Sequence, residues 1–167
     1  MSATEHQAAA PARVRVFVLT VSDTRTTDND KSGDAIAELL SAAGHHVTGR
    51  VIEKDEPQRI AELVRQQFAI ADVDAIITTG GTGLTGRDST YEAIDALLQK
   101  RLPGFGELFR MLSYHDIGPA AMMSRACAGT IGHVVVLSLP GSEAAVRLAM
   151  TKLVVPELGH LVQQARK

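Results

Sequence analysis

The sequence predicts an α/β fold, in which strands and helices alternate around a parallel sheet. Three β-branched, mostly apolar segments are typical of buried parallel strands: residues 14–21, 74–79 and 133–139. A polar or glycine-rich turn follows each of them, and an amphipathic helical pattern follows each turn. Strands and helices that alternate in this way form right-handed βαβ units. The chain has 167 residues, which fits one domain, and we expect that domain to span residues 13–167.

The first strand leads into a polar loop that ends near Lys31. We expect Ser32 to cap the helix that follows, because a serine hydroxyl can accept a hydrogen bond from a free N–H group of the first helical turn. Apolar residues at helical spacing continue this helix, and Gly44 is its expected end.

A more polar second strand is predicted over residues 46–52, and the next helix has Pro57 in its first turn. Asp55 precedes that helix, so it is either the N-cap of the helix or a functional carboxylate. After the third strand, Ser89 and Glu92 have the spacing of a capping box at the start of another helix.

The second half of the chain has less regular patterns. Residues 102–132 are interrupted by Gly and Pro, and we predict short helices there. After the strand at 133–139, Ser142 leads into a long C-terminal helix. Pro156 lies inside that helical pattern and is expected to kink or divide it.

Composition excludes several classes of function. The net charge of −2 and the scarcity of aromatic residues argue against a nucleic-acid-binding surface. No apolar run is long enough to span a membrane, and residues 1–12 are predicted to be a disordered tail, not a secretory signal. The single cysteine, Cys127, excludes an internal disulfide, suits a cytoplasmic protein and is interpreted as a buried small residue. Met111, Met122 and Met123 are interpreted as core or interface residues.

Three of the predicted strands end in polar or glycine-rich turns, at residues 20–23, 79–88 and 140–142. Ligands of parallel sheets bind beyond the carboxyl ends of the strands. We therefore expect these three turns to lie side by side and to form the functional site.

The turn after the third strand contains four glycines between residues 80 and 86. Consecutive glycines let backbone N–H groups approach an anion closely, and the following helix adds a positive dipole end. Phosphate is therefore the natural ligand, unless the glycines serve only the geometry of the turn. Residues 81–86 also match the Gly-x-Gly-x-x-Gly dinucleotide fingerprint, but the helix starts after the glycines and no acid ends a strand about 20 residues later, which disfavours a nicotinamide enzyme.

Carboxylates lie next to these turns. Asp88 closes the glycine loop, and Asp55 follows the second strand. Nucleotidyl transfer requires neutralisation of charge on phosphate oxygens, usually by Mg²⁺ that one or two carboxylates hold. An Asp in such a position is also a common helix cap, and Asp23 has the same ambiguity.

Seven short motifs in this order resemble the molybdenum cofactor biosynthesis MoaB/MogA family, which includes the G domain of gephyrin. The resemblance covers residues 13 to about 161, and its MoaB-like strings include His45-His46-Val47 and Ile117-Gly118. The seven motifs are Thr20-Val21-Ser22-Asp23, Ser32-Gly33, Thr79-Gly80-Gly81-Thr82-Gly83, Arg87-Asp88, Pro103-Gly104-Phe105-Gly106-Glu107, Ser124-Arg125 and Leu139-Pro140-Gly141-Ser142.

The resemblance implies a three-layer αβα sandwich with a mostly parallel sheet, a cytoplasmic location and a trimeric or hexameric homo-oligomer. It also implies that the protein binds molybdopterin and adenylylates it with Mg-ATP, releasing pyrophosphate. Asp55 and Asp88 match the acidic positions of active members and are the expected catalytic and Mg²⁺-binding residues. The expected molybdopterin- and ATP-binding residues are Ser22, Asp23, Gly80, Gly81, Thr82, Gly83, Ser124, Arg125 and Ser142. Lys31 or Arg125 is a candidate anchor for the pterin phosphate.

Two alternatives remain open at this point. A non-catalytic molybdopterin-binding or scaffold protein would have the same fold. An unrelated nucleotide or phosphosugar enzyme would use the glycine loop alone.

Overall fold

The computed structural model describes residues 10–167, which form a six-stranded sheet with helices on both faces. Residues 1–9, most of the predicted tail, lie outside the described residues. The strands are β1 (Arg15–Val21), β2 (His46–Glu53), β3 (Ala75–Thr79), β4 (Lys100–Arg101), β5 (Cys127–Ile131) and β6 (Val134–Leu139). The helices are α1 (Lys31–Ala42), α2 (Pro57–Phe68), α3 (Thr90–Leu97), α4 (Pro103–Ile117), α5 (Glu143–Ala149) and α6 (Val155–Ala165).

The sheet has the strand order β2-β1-β3-β6-β5-β4 and is mostly parallel, as the resemblance implies. Strands β2, β1, β3 and β6 run parallel to one another, and β5 is antiparallel to both β6 and β4. The three central strands β1, β3 and β6 are buried almost throughout, which is why their sequences are continuous apolar runs and not alternating ones.

Two hydrophobic clusters on opposite faces of the sheet make the three layers. On one face, side chains of β1, β3 and β6 such as Ile77 and Leu137 pack with residues of α1, α4, α5 and α6, among them Leu40 and Leu158. On the other face, Leu19, Ile76 and Val136 pack with residues of α2 and α3. The predicted three-layer αβα sandwich is confirmed.

The start of α1 differs from the prediction, because Ser32 lies inside the helix and Asp30 is its N-cap. The Asp30 carboxylate is buried and accepts hydrogen bonds from the N–H of Gly33 at 3.0 Å and from the hydroxyl of Thr20 at 2.7 Å. The Ser32 hydroxyl instead donates to the carbonyl of Gly141 at 2.7 Å. Both Asp30 and Ser32 are residue types that can cap a helix. Asp30 is the cap here because the Ser32 hydroxyl is used in the tertiary contact with the turn after β6.

The capping box predicted for Ser89 and Glu92 is also wrong. Ser89 occupies the N-cap position of α3, but its side chain makes no capping hydrogen bond. Its hydroxyl donates to Asp55, and Glu92 pairs with Arg125. Partners distant in sequence replace both local hydrogen bonds of the box.

The region predicted as short helices contains one 15-residue helix, α4, then a 3₁₀ helix over Gly118–Met123 and strand β5. Strand β5 escapes a pattern-based prediction because Cys127, Ala128 and Gly129 are small. At Gly129 the small size is required, since a Cβ there would lie 2.2 Å from the carbonyl oxygen of Lys100 in β4.

The C-terminal helix is divided as predicted, by a π-helical segment over Met150–Val154 between α5 and α6. Pro156 lies at the start of α6 and cannot donate the backbone hydrogen bond of a continuous α-helix. Within residues 10–167, no helix is both long and apolar enough to cross a membrane.

The methionines and the cysteine differ in burial. Cys127 is buried, as predicted. Met111, Met122 and Met123 are exposed to 51%, 78% and 56% and are not part of the core of the chain. Only the interface interpretation of these methionines remains.

Candidate active site

The three turns predicted to converge lie side by side at the carboxyl ends of β1, β3 and β6. Thr20 pairs in register with Thr79, and Thr79 pairs with Leu139. The turns are also hydrogen-bonded to one another, since Gly80 donates its N–H to Leu139 at 3.1 Å and Thr79 its hydroxyl to Pro140 at 2.8 Å. The predicted convergence is confirmed.

The glycine loop has a backbone that glycine alone adopts easily. Gly80 and Gly81 have φ angles of +97° and +67°, in the left-handed region. A Cβ at Gly80 would also lie 2.1 Å from the carbonyl oxygen of Val21. Both glycines are therefore required by conformation, and Gly80 is also required by the close packing of the loop on β1.

Four consecutive backbone N–H groups of this loop are free. Among the described residues, the N–H groups of Gly81, Thr82, Gly83 and Leu84 have no acceptor. Unpaired N–H groups in a glycine-rich turn form a concave site for an anion, and phosphate oxygens are acceptors of the required kind. The following helix α3 begins at Thr90, four residues after Gly86, which differs from the geometry of a dinucleotide fingerprint.

The two predicted catalytic carboxylates lie against glycines of this loop. A Cβ at Gly81 would lie 2.5 Å from Oδ2 of Asp55, and a Cβ at Gly83 would lie 2.6 Å from Oδ2 of Asp88. The absence of side chains at both glycines therefore lets each carboxylate lie against the loop backbone. The structure brings Asp55, Asp88 and the free N–H groups into one site.

Asp55 is buried, with 5% of its surface exposed, and it is not the N-cap of α2. Its Oδ1 accepts hydrogen bonds from the hydroxyls of Ser89 at 2.7 Å and Thr90 at 3.1 Å. Its Oδ2 has only a long contact of 3.3 Å with the N–H of Ser89. Asp55 thus holds the start of α3 with one oxygen and keeps the other largely available.

Asp88 is more accessible than Asp55. Its Oδ2 accepts hydrogen bonds from Thr85, from the N–H at 3.1 Å and from the hydroxyl at 2.5 Å. Its Oδ1 accepts no hydrogen bond from the described residues. Asp88 therefore closes the loop on itself and still has a free oxygen for a cation.

Asp23 links the turn after β1 to the glycine loop. Its carboxylate accepts two hydrogen bonds from Arg87, at 2.7 and 2.9 Å, and a third from the N–H of Asp55. The Arg87 guanidinium, followed by this N–H group, lowers the pKa of Asp23 to about 2. Arg87 also pairs with Glu56, so one guanidinium connects three segments around the site.

Arg125 lies against the glycine loop. Its guanidinium donates to the carbonyl oxygens of Thr82 at 2.8 Å and Gly83 at 2.6 Å, and it pairs with Glu92. The same group lies over the ring of Tyr91, 4.8 Å from the ring centroid. The sequence indicated Arg125 as a ligand contact, but it did not indicate these partners in α3.

The predicted serines have different positions. The hydroxyl oxygen of Ser22 accepts hydrogen bonds from the N–H groups of Thr24 and Arg25. Ser142 caps α5 by accepting from the N–H of Ala145 at 3.2 Å. Ser124 is half-buried next to Arg125, and its hydroxyl has no hydrogen-bond partner among residues 10–167. Of the three, Ser124 has the freest hydroxyl.

An open cavity of about 620 Å³ lies between the turn after β1 and the end of β2. Arg25, Arg50, Lys54 and the buried Asp30 are among its lining residues. Asp30 was not among the predicted site residues, although its spacing of three residues from Gly33 is a recognisable N-cap pattern. Lys31, the other predicted phosphate anchor, is exposed at the start of α1.

Within the described part of the chain, no three His, Cys, Asp or Glu residues are grouped so as to hold a metal ion. A resident metal centre with a full set of protein ligands is therefore not found there. Mg²⁺ needs less, because it is usually bound through one or two carboxylates together with substrate phosphates and water. Asp88, with its free Oδ1, and Asp55, whose Oδ2 has only one long contact, fit that requirement.

The chain is similar to one protein family and to several known proteins. Residues 17–160 match a family described as a probable molybdopterin binding domain. The chain is 56% identical over 162 residues to molybdenum cofactor biosynthesis protein B of Bacillus cereus, covering 96% of each chain. A crystal structure of a molybdenum cofactor biosynthesis protein B superposes with a TM-score of 0.90 at 55% identity, covering 93% of this chain and 98% of the other. The tungsten cofactor synthesizing protein MoaB from Pyrococcus furiosus superposes with a TM-score of 0.84 at 39% identity, covering 95% and 100%.

Proposed function

The chain belongs to the MoaB family of molybdenum cofactor biosynthesis proteins, and from this premise we propose that it adenylylates molybdopterin. The phosphate of molybdopterin attacks the α-phosphorus of ATP in line. A new P–O bond forms to the α-phosphorus, the bond from that phosphorus to the leaving pyrophosphate breaks, and pyrophosphate is released. Molybdopterin and ATP are the substrates, and Mg²⁺ is the metal ion.

The observation that carries the proposal is the row of free N–H groups at Gly81, Thr82, Gly83 and Leu84. Donors that are already oriented stabilise charge on a phosphoryl group without further reorganisation. Because phosphoryl transfer depends mainly on positioning and on electrostatic stabilisation, a fixed cradle of this kind meets its main requirement. The loop would hold phosphate oxygens at the reacting centre.

Asp88 and Asp55 would hold Mg²⁺ at the edge of this cradle, and the bound ion would neutralise charge on the transferring and leaving phosphates. Asp88 would contribute through its free Oδ1, and Asp55 through Oδ2. The hydroxyls of Ser89 and Thr90 keep the Asp55 carboxylate in one orientation. Ser22, Asp23, Ser124 and Ser142 surround the site and would contact pterin or phosphate.

The test is an assay of purified protein with molybdopterin, ATP and Mg²⁺, in which adenylylated molybdopterin and released pyrophosphate are both measured. We expect Asp88→Asn to lower the rate by at least about 10–100-fold, because a metal ligand is lost. Asp72→Asn is the matched control, since Asp72 is an exposed carboxylate that pairs with Arg15. Wild-type protein that binds molybdopterin and forms no adenylate would refute the proposal.

A second function, as a non-catalytic binding or scaffold protein, is favoured by one observation. Asp55 is buried and bonded to Ser89 and Thr90, which are contacts sufficient for a purely structural role. In that case, Asp88→Asn and Asp55→Asn proteins would both still support cofactor synthesis in a strain that lacks the wild-type protein. Loss of synthesis by folded Asp88→Asn protein would exclude this alternative.

We also propose that the chain forms a homo-oligomer, a trimer or a hexamer. Exposed apolar side chains cluster on α4 and the following 3₁₀ helix, and such a surface is unusual for a monomer. They are Leu108, Met111, Tyr114, Ile117, Met122 and Met123. Light scattering should report a trimer or hexamer, and Met111→Lys should weaken the association of the subunits. A monomeric wild-type protein would refute the proposal.

We propose the cytoplasm as the compartment of the protein, because its single cysteine suits a reducing environment.

A further inference from the structure

Arg125 has the charge of a phosphate-binding residue, but most of its N–H donors are already in use. Nε donates to the carbonyl of Thr82 and Nη2 to the carbonyl of Gly83, while Nη1 pairs with Glu92. The Tyr91 ring covers one face of the guanidinium. Only 22% of the Arg125 side chain is exposed. A guanidinium that already contacts two carbonyls, a carboxylate and an aromatic ring is poorly placed to reach a phosphate.

The two carbonyls that Arg125 binds determine where the loop N–H groups point. In a planar trans peptide, the C=O of one residue and the N–H of the next point in opposite directions. The Thr82 carbonyl is coupled in this way to the N–H of Gly83, and the Gly83 carbonyl to the N–H of Leu84. By holding both carbonyls, Arg125 directs these two N–H groups away from itself, where no described residue accepts them.

We propose that Arg125 is a positioning residue that keeps the glycine loop in its anion-binding conformation and does not itself contact the phosphate. This inference rests on the proposed function only for the identity of the ligand, because the geometry of the loop is independent of the reaction. Glu92 and Tyr91 in α3 hold the guanidinium of Arg125 in this position. The planar fork of arginine is essential to it, since a lysine ammonium cannot hold two adjacent carbonyls in the same way.

The experiment compares Arg125→Lys with Arg110→Lys in the full-length protein. Arg110 is a half-buried arginine on α4 that forms no hydrogen bond or ion pair with the described residues, so it serves as the matched control. Two quantities are measured for each folded variant. NMR relaxation and amide exchange report the order of residues 81–84 in the free protein, and calorimetric titration with Mg-pyrophosphate reports the affinity.

We expect Arg125→Lys to mobilise the amides of residues 81–84 without ligand and to weaken pyrophosphate binding about tenfold or more, since hydrogen bonds to a charged group are lost. Arg110→Lys should change neither quantity. Glu92→Gln, which removes the ion partner of Arg125, should shift both in the same direction by a smaller factor. An unchanged loop with weakened binding would mean direct contact and would overturn the inference, as would unchanged binding.

The test of the role of Arg125 can be distinguished from the test of the proposed reaction. If wild-type protein binds pyrophosphate but makes no adenylate, the adenylyltransferase proposal fails while the role of Arg125 is still decided by the loop amides. If wild-type protein does not bind pyrophosphate, the loop is not an anion site and both proposals fail.

Discussion

Replacement of Gly80 by alanine should destabilise the protein for two separable reasons. A φ of +97° is unfavourable for an L-residue, which costs about 1–2 kcal/mol. In addition, the new Cβ would lie 2.1 Å from the carbonyl oxygen of Val21, so the backbone of the loop or of β1 must move. Overpacking of this kind costs about 1–3 kcal/mol. The expected loss in the free energy of unfolding is therefore about 2–5 kcal/mol.

Two further glycines allow the two contributions to be measured separately. Gly44 has a φ of +84° and no atom within 4 Å of its would-be Cβ, so Gly44→Ala should lose only about 1–2 kcal/mol. Gly86 has open space and no left-handed φ, so Gly86→Ala should be neutral or slightly stabilising.

The assay is urea unfolding of all three variants, followed by far-UV circular dichroism at one protein concentration. Gly86→Ala should be the most stable of the three variants, Gly44→Ala should be less stable, and Gly80→Ala should be the least stable. Equal losses for Gly44→Ala and Gly80→Ala would show that the contact with Val21 relaxes at no cost. That result would refute the requirement for glycine at position 80 on steric grounds.

Three other predictions concern ionisable and nucleophilic side chains. Burial raises the pKa of Asp74, but hydrogen bonds from Arg15 and Arg166 outweigh it and lower this pKa from 3.8 to about 2. Asp74 therefore stabilises the fold above pH 3.8, the stabilisation is lost as the pH falls towards 2, and Asp74→Asn should reduce this loss in acid unfolding curves. Burial raises the pKa of the Cys127 thiol to about 12, so a thiol reagent at pH 8 should react with unfolded but not with native protein. Asp55→Asn should lower the free energy of unfolding by about 1–3 kcal/mol, because the hydroxyls of Ser89 and Thr90 lose a charged acceptor. Asp88→Asn should stay within about 0.5 kcal/mol of wild type in the same thermal melting curves. Equal losses would contradict the different burial of the two carboxylates.

The parts of the fold that the sequence predicts well are those in which side-chain patterns follow burial directly. Strands β1, β3 and β6 are covered on both faces, so their apolar runs are sufficient for prediction. Strand β5 is different, because the close approach of β4 requires glycine at position 129, and glycine has little β propensity. Strand β5 therefore depends on its pairing with β4, which the sequence of β5 alone does not reveal.

The candidate site shows the same division. The glycine loop and its neighbouring carboxylates are recognisable in the sequence because the chemistry requires those residue types close together. The partners of each polar group are not recognisable. Ser89 fits a cap and binds Asp55 instead, and Arg125 fits a phosphate anchor and binds the carbonyls of the loop. In both cases the side chain binds a partner that is distant in sequence.

The free N–H groups of residues 81–84 have a consequence for nucleotide choice. Backbone N–H groups interact with phosphate oxygens, and every nucleoside triphosphate carries the same phosphates. Under the proposed function, a loop of this kind gives affinity for the triphosphate but no discrimination between adenine and guanine. Preference for one base must come from side chains that reach the ring edge, away from residues 81–84. Nucleotide specificity and phosphate affinity should thus be separable by mutation, and a change of base preference need not disturb the loop.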